Sequence, residues 1–136
     1  MMRSNATHLH GQRRGILTME LVLTLPILIV MLLGIFQFSL LFYGRELVVE
    51  AARAGARKAT LPGVSEADVQ AEVRRVLPDR FLKTVQVVAE LGERTGDVVS
   101  VGVGVPATTI TPDLLWMIGV SLKDQTLYSE TRMIRE

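Results

Sequence analysis

The sequence predicts an α+β protein in which one long N-terminal helix precedes a short helix and a small three-stranded antiparallel sheet. An uncharged apolar run at 21–44 is followed by a Pro-free helical pattern up to Thr60. Further on, the apolar residues change to the alternation of β-strands. We divide the 136-residue chain into a polar basic leader at 1–15, a transmembrane and then amphipathic helix at 16–60, and a small exported α+β domain at 61–136.

The composition argues against most enzymatic and nucleic-acid-binding functions. With 15 basic and 14 acidic side chains, no excess of Lys and Arg indicates a nucleic-acid-binding face. The absence of Cys excludes disulfides, thiolate nucleophiles and zinc-cysteine sites. The only histidines, His8 and His10, are a weak metal signal in the leader, and the common hydrolase, nucleotide-binding and zinc-protease motifs do not occur. We therefore expect no catalytic residue, cofactor, metal, small-molecule substrate or nucleic-acid partner.

The apolar run is long enough to cross a lipid bilayer. The 24 uncharged residues between Glu20 and Arg45 cover about 36 Å as a helix, against about 30 Å for the hydrocarbon core. A buried core helix is the weaker alternative, because the remaining chain could hardly wrap a helix that is apolar on every side. A cleaved secretory signal would have an apolar region of only about 7–15 residues and a small-residue cleavage site. The sequence therefore predicts a retained single span.

The orientation of the span is predicted from the size of its two flanks. Arg3, Arg13 and Arg14 precede the run, but basic residues also follow it closely, so charge alone does not decide. The residues before the span form only a short polar leader, whereas the folded part comes after it. We therefore expect a cytoplasmic N-terminus and an extracytoplasmic C-terminal domain.

The helical pattern continues beyond the membrane span. A polar stripe runs along this part of the helix and consists of Glu46, Glu50, Arg53 and Arg57. The opposite side carries the small residues Ala51, Gly55 and Ala59, on which another backbone can approach closely. Two packing partners remain open for this side, the protein's own domain and a neighbouring subunit. Pro26 predicts a bend in the helix.

Two short helices are predicted in the rest of the chain. Ser65, with Asp68 three residues later, predicts the N-terminus of the first, which ends before Pro78. Thr111-Pro112-Asp113 can start the second over the apolar residues 114–118. These five apolar residues are contiguous, so they could cover the sheet or lie on a membrane or partner surface. We favour the core or a lid over the sheet.

The sheet is predicted from alternation. Apolar residues alternate over 85–91 and over 99–105, with a turn between them, which predicts an antiparallel hairpin. A final strand from about 126 to 134 completes three strands. Gly102 and Gly104 leave one face of the second strand bare, and we expect a helix to cover that face closely.

A motif before the apolar run resembles a type IV prepilin cleavage site. It reads Arg13-Arg14-Gly15-Ile16-Leu17-Thr18-Met19-Glu20. The resemblance implies that a membrane prepilin peptidase cuts between Gly15 and Ile16, and that Glu20, then position five of the mature chain, acts in assembly.

The chain is similar to the TadE-like family, minor pseudopilins of the tight-adherence (Flp) pilus. Glu20, Pro26 six residues later and the segment Ala51-Ala52-Arg53-Ala54-Gly55-Ala56-Arg57 carry the resemblance. Leu21 departs from the family, in which an aromatic residue is common at that position. The resemblance implies a pilin-like fold, the bacterial inner membrane, and as partners the lipid bilayer, other pilins or pseudopilins, the pilus assembly platform and the prepilin peptidase. The implied role is assembly or priming of the pilus by lateral helix packing.

An alternative from a different functional class is an uncleaved single-pass membrane adaptor or sensor whose exported domain binds a ligand. It predicts an intact N-terminus and no dependence on Gly15. A secreted enzyme is the third possibility, and activity of the isolated domain would support it.

Overall fold

The structure is a computed structural model that describes the backbone of residues 10–136 and the side chains from residue 15 onward. Most of the predicted leader, including His8 and Arg3, lies outside the described residues. The helices are α1 (His10–Ala59), α2 (Glu66–Val76), α3 (Asp79–Leu82) and α4 (Ala107–Ile110), with a 3₁₀ turn at Trp116–Ile118. The strands are β1 (Gln86–Glu90), β2 (Val98–Pro106) and β3 (Thr126–Ile134).

Helix α1 contains 50 residues and is about 75 Å long. Two hydroxyl groups in its apolar run donate to carbonyl oxygens four residues back, Thr24 to Glu20 at 3.0 Å and Ser39 to Ile35 at 2.8 Å. These bonds satisfy the hydroxyls inside an apolar surface. Pro26 lies inside α1, and the helix continues on both sides of it.

Helix α2 begins as predicted. The backbone N–H of Asp68 donates to Ser65 Oγ, and the backbone N–H of Ser65 donates to Asp68 Oδ2, which together form a capping box. Val69 and Val73 are fully buried and pack in the core. The short helix α3, which the sequence analysis does not predict, follows Pro78 and brings Phe81 into the same core.

The three strands form an antiparallel sheet in the order β1-β2-β3, as predicted. One face of β2 is completely buried and consists of Val99, Val101, Val103 and Val105. This face packs with α2 and the C-terminal half of α1 in one hydrophobic core. The alternating valines in the sequence of β2 therefore are the residues that form the core face of the sheet.

The expected cover over the glycine face of β2 is wrong. A Cβ atom at Gly102 would overlap with the ring and hydroxyl of Tyr128 from β3, so a side chain of the neighbouring strand lies there instead of a helix. The physical reason is that the opposite, all-valine face offers more apolar surface for the helices to bury. The glycine face leaves room for Tyr128, which is itself 60% exposed.

Candidate functional site: the two halves of the long helix

The N-terminal half of α1, taken as the described residues before Gln37, is an exposed apolar surface, and the C-terminal half runs from Gln37 to Ala59. Large side chains point outward all round it, and Leu23 and Met31 are 73% and 66% exposed. Within the part of the chain that the structure describes, α1 is the one helix long and apolar enough to cross a membrane, and almost none of its most apolar stretch is buried. Among the described residues, this half therefore has almost no packing partner.

The predicted processing residues lie on this exposed half. Gly15 and Ile16 are both exposed, and a Cβ atom at Gly15 would meet no other atom within 4 Å. Both residues belong to α1, so a peptidase that needs an extended substrate must first open the helix there. Glycine weakens a helix by about 1 kcal/mol relative to alanine, which makes this a favourable place to open it.

Glu20 is exposed one turn further along α1. No side chain between residues 15 and 136 forms a salt bridge with it. A carboxylate in this position is next to the apolar surface and available to a charge outside the described residues, on this chain or another. The structure thus places Glu20 where an intermolecular contact is sterically open.

The small side of the C-terminal half is buried by the protein's own domain. Ala51 is fully buried and Ala59 is 2% exposed. A Cβ atom at Gly55 would lie 2.7 Å from Val73 Cγ2 of α2 and 3.0 Å from Val101 Cγ1 of β2. Of the two partners left open by the sequence, the structure places the protein's own helix and sheet against these residues. The polar stripe on the opposite side is exposed.

Gln37 joins the two halves and was missed by the sequence analysis. Its side chain is only 2% exposed although it lies in the apolar run. Gln37 Oε1 accepts hydrogen bonds from the backbone N–H groups of Leu114 and Leu115, each at 3.1 Å. A single amide in an otherwise apolar run was the available signal, but its partners lie 77 and 78 residues away in sequence.

The apolar segment 114–118 does not form the expected lid over the sheet. Its helical part is a 3₁₀ turn, closed by Gly119 at φ +86°. Leu115 is buried against α1, but Trp116, Met117 and Ile118 are all more than half exposed. The reason is that the anchor at Gln37 holds the segment beside α1 rather than over β2. An apolar groove of about 340 Å³ lies on the same part of the helix, lined among others by Phe38, Phe42 and Leu122.

The shifted titratable groups stabilise the domain surface rather than form a reactive centre. The backbone N–H and hydroxyl of Ser65 lower the pKa of Asp68, and the hydrogen bond from Arg75 lowers the pKa of Glu72. These groups lie at or on α2, where Asp68 and Arg75 are exposed and Glu72 is partly exposed. Among the residues with described positions, no group of three or more His, Asp or Glu could hold a metal ion.

A comparison with protein families finds a match to most of the long helix. Residues 15–57 match the family described as TadE-like protein. This stretch is a TadE-like domain. Neither the curated proteins nor the solved structures contain a match to the chain. TadE-like proteins are associated with the Tad pilus and carry a long hydrophobic N-terminal helix, and the α+β layout found here is pilin-like.

The TadE-like match covers both halves of α1 and none of the sheet. It includes the exposed Gly15 and Glu20 as well as the buried Gly55. The remaining elements wrap the second half of the TadE-like helix, so the exposed first half is the part of the matched segment that remains free for contacts with a membrane or with other proteins.

Proposed function

We propose that this protein is a single-pass subunit of the bacterial inner membrane that acts in assembly or priming of a tight-adherence (Flp) pilus. Its N-terminus faces the cytoplasm and its sheet domain lies outside. The observation that carries the proposal is the division of the TadE-like helix. One half is exposed and apolar, and the small-residue side of the other is buried by the protein's own domain.

Lateral contacts with other pilins or pseudopilins and with the assembly platform are assigned to the exposed half of α1. The small-residue side of the other half cannot provide them, because Ala51, Gly55 and Ala59 already contact the protein's own core or lie within it. In a bilayer, association of exposed apolar helices depends on side-chain packing and on interhelical polar contacts. Among the residues of this half whose side chains are described, Glu20 is the charged one available for such a contact.

Processing by a prepilin peptidase would supply a partner for Glu20. Cleavage between Gly15 and Ile16 creates an α-amine at Ile16, which is largely protonated at neutral pH. A carboxylate near hydrocarbon is costly, and pairing it with a cation on a neighbouring chain offsets part of that cost. Cleavage also removes three Arg residues and leaves 12 basic against 14 acidic side chains, a formal charge of −2.

The test measures chain mass and helix contacts in the same membranes. Because the chain has no Cys, a single Leu28→Cys substitution on the exposed half reports contacts by disulfide crosslinking, under an added oxidant, to a single cysteine introduced into the membrane helix of another pilin in the same cells. We expect the Leu28→Cys chain to lose residues 1–15 and to form adducts with other pilins. Adding Glu20→Gln should leave the mass of the processed chain unchanged and sharply reduce these adducts.

Two further variants complete the experiment. Gly15→Leu should keep the longer, more basic chain, and Leu61→Cys, at an exposed position after α1, should form few adducts. If the Leu28→Cys chain forms as many adducts with Glu20→Gln as without it, Glu20 has no role in assembly. A full-length mass in wild type that Gly15→Leu does not change, with no adducts, would favour the uncleaved adaptor or sensor.

A further inference from the structure

A second exposed apolar surface lies on the folded domain. We call it the apolar tip, and it consists of Trp116, Met117, Ile118 and Val120. These side chains are 65%, 79%, 54% and 43% exposed. The surrounding sequence from residue 114 to residue 122 carries no charge. Clustered exposed apolar side chains indicate a contact surface, because isolated ones are normal but patches are not.

The apolar tip is held at a defined height along α1. Leu114 and Leu115 donate to Gln37 Oε1, and the side chain of Leu115 lies 3.9 Å from the Cβ position of Gly34. The base of the loop is closed by Asp113 Oδ2, which accepts hydrogen bonds from Ser121 Oγ at 3.0 Å and from the backbone N–H of Leu122 at 3.2 Å. The residues directly before the tip are therefore anchored at the level of residues 34–37 of the helix.

This level coincides with the expected edge of a bilayer. From Ile16 to Phe36 the helix covers about 32 Å, close to the roughly 30 Å of a hydrocarbon core. Lipid cannot surround α1 much beyond that point, because the domain packs against Gln37, Gly44 and Val48. The uncharged run alone would put the membrane surface near Arg45. The packed domain moves it to about Gln37.

We infer that the apolar tip inserts into the lipid surface on the side of the membrane that carries the domain. Its exposed apolar side chains adjoin the exposed apolar face of the span at the same height. Tryptophan favours the boundary between headgroups and acyl chains, which suits Trp116. Irregular backbone is not tolerated where it faces the hydrocarbon interior, so the insertion is limited to this boundary.

This contact would fix the domain relative to the membrane. The span alone allows rotation of the domain about the helix axis, whereas a second contact beside the helix sets its tilt and the direction in which its other faces point. The inference rests on the proposed single-pass anchoring and adds a membrane contact made by the folded domain itself.

Trp116 is the only tryptophan in the chain, so its fluorescence reports the apolar tip directly. The full chain is reconstituted at low protein-to-lipid ratio into phosphatidylcholine and phosphatidylglycerol vesicles, with or without bromine on the acyl chains close to the headgroup. We expect brominated lipid to quench the emission strongly, because a tryptophan at the membrane–water interface lies close to the upper acyl chains. Iodide in the water should remove little.

The matched control moves the single tryptophan away from the membrane. In Trp116→Phe with Leu61→Trp, the reporter follows the end of α1, about 33 Å along the helix from Gln37. We expect iodide to quench this variant and brominated lipid to leave it unchanged.

Three other outcomes would overturn the inference. Iodide quenching of Trp116 as strong as that of the control would place the tip in water. Shielding of Trp116 from both quenchers would place it against protein, such as a second copy of the chain. A chain that does not float with the vesicles would overturn the anchoring as well, whereas a floating chain with a water-exposed Trp116 would overturn the inference alone.

Discussion

The two halves of α1 use opposite kinds of side chain. The N-terminal half consists mainly of large aliphatic residues, such as Leu23 and Met31, and leaves them exposed. The C-terminal half contains small residues, such as Ala51 and Ala56, and buries them completely. In a protein surrounded by water alone, the larger apolar residues would be the buried ones. The reversal indicates that the two halves have different surroundings, the protein's own core for the second and, under the proposed anchoring, lipid for the first.

Side-chain size also limits how closely the other elements of the protein can approach α1. In the core, β2 and α2 come close to the helix because Gly55 has no side chain. In the exposed half, large side chains keep other backbones at a distance but provide a wide surface for lipid. Gln37 marks the change between the two, because it is polar, buried and bonded to the domain.

The largest expected effect compares two phenylalanines. Phe81 is fully buried in the core, whereas Phe36 is 56% exposed on the apolar half of α1. Phe81→Ala should destabilise the domain by about 3–5 kcal/mol, because it leaves a cavity. Phe36→Ala should change domain stability little. Thermal unfolding of the full chain in lipid nanodiscs, followed by circular dichroism, measures both. Equal losses would mean that the exposed half contributes to the same core.

The elements of the fold could be predicted where their signals are local. The capping box at Ser65 and Asp68 is four residues long, and the strands alternate within nine residues or fewer. The four-residue helices α3 and α4 were missed, because so short a segment shows no helical period. The prediction that a helix covers Gly102 was wrong, because the face of the sheet on which the helices pack is decided by the whole core and not by β2 alone.

In the candidate site, too, the residues with a local signal could be predicted and the long-range contacts could not. Gly15 and Glu20 could be singled out because they belong to a short motif, and their roles stay predictions since they depend on other molecules. The anchor at Gln37 could not be predicted, because its partners are brought to it only by the folded domain. The exposure of Trp116 was the less favoured of two alternatives in the sequence, because the anchor that decides between them is formed only in the folded domain.

A second, smaller effect compares two glycines of the same helix. Gly55→Val should destabilise the domain by about 1–3 kcal/mol, because the new side chain overlaps with Val73 and Val101. Gly34→Val makes the same chemical change where the nearest atom, of Leu115, is 3.9 Å from the Cβ position. We expect this control to unfold within a few degrees of wild type in nanodiscs. A loss at Gly34 as large as that at Gly55 would contradict the assignment of close packing to the second half alone.

The smallest effect is a pH dependence at the start of α2. The hydrogen bonds from the backbone N–H and the hydroxyl of Ser65 lower the pKa of Asp68 in the folded protein. Its contribution to stability is therefore complete above the ordinary Asp pKa of about 4, and is lost as the pH falls through the lower pKa of the folded state. Melting temperatures of the full chain in nanodiscs, measured from about pH 6 down to about pH 3, should fall less steeply for Asp68→Asn than for wild type.

Ser65→Ala provides the graded control for this pH dependence. It removes the hydroxyl donor but keeps the backbone N–H of residue 65, which is the larger cause of the lowered pKa. Its melting temperature should therefore lie below that of wild type at neutral pH, by the equivalent of about 1 kcal/mol for a lost N-cap. Its slope with pH should fall between those of wild type and Asp68→Asn. Parallel slopes for all three chains would show that Asp68 does not couple its proton to folding. The expected order of slopes would instead show that the pH response arises from the capping box of Ser65 and Asp68 at the start of α2.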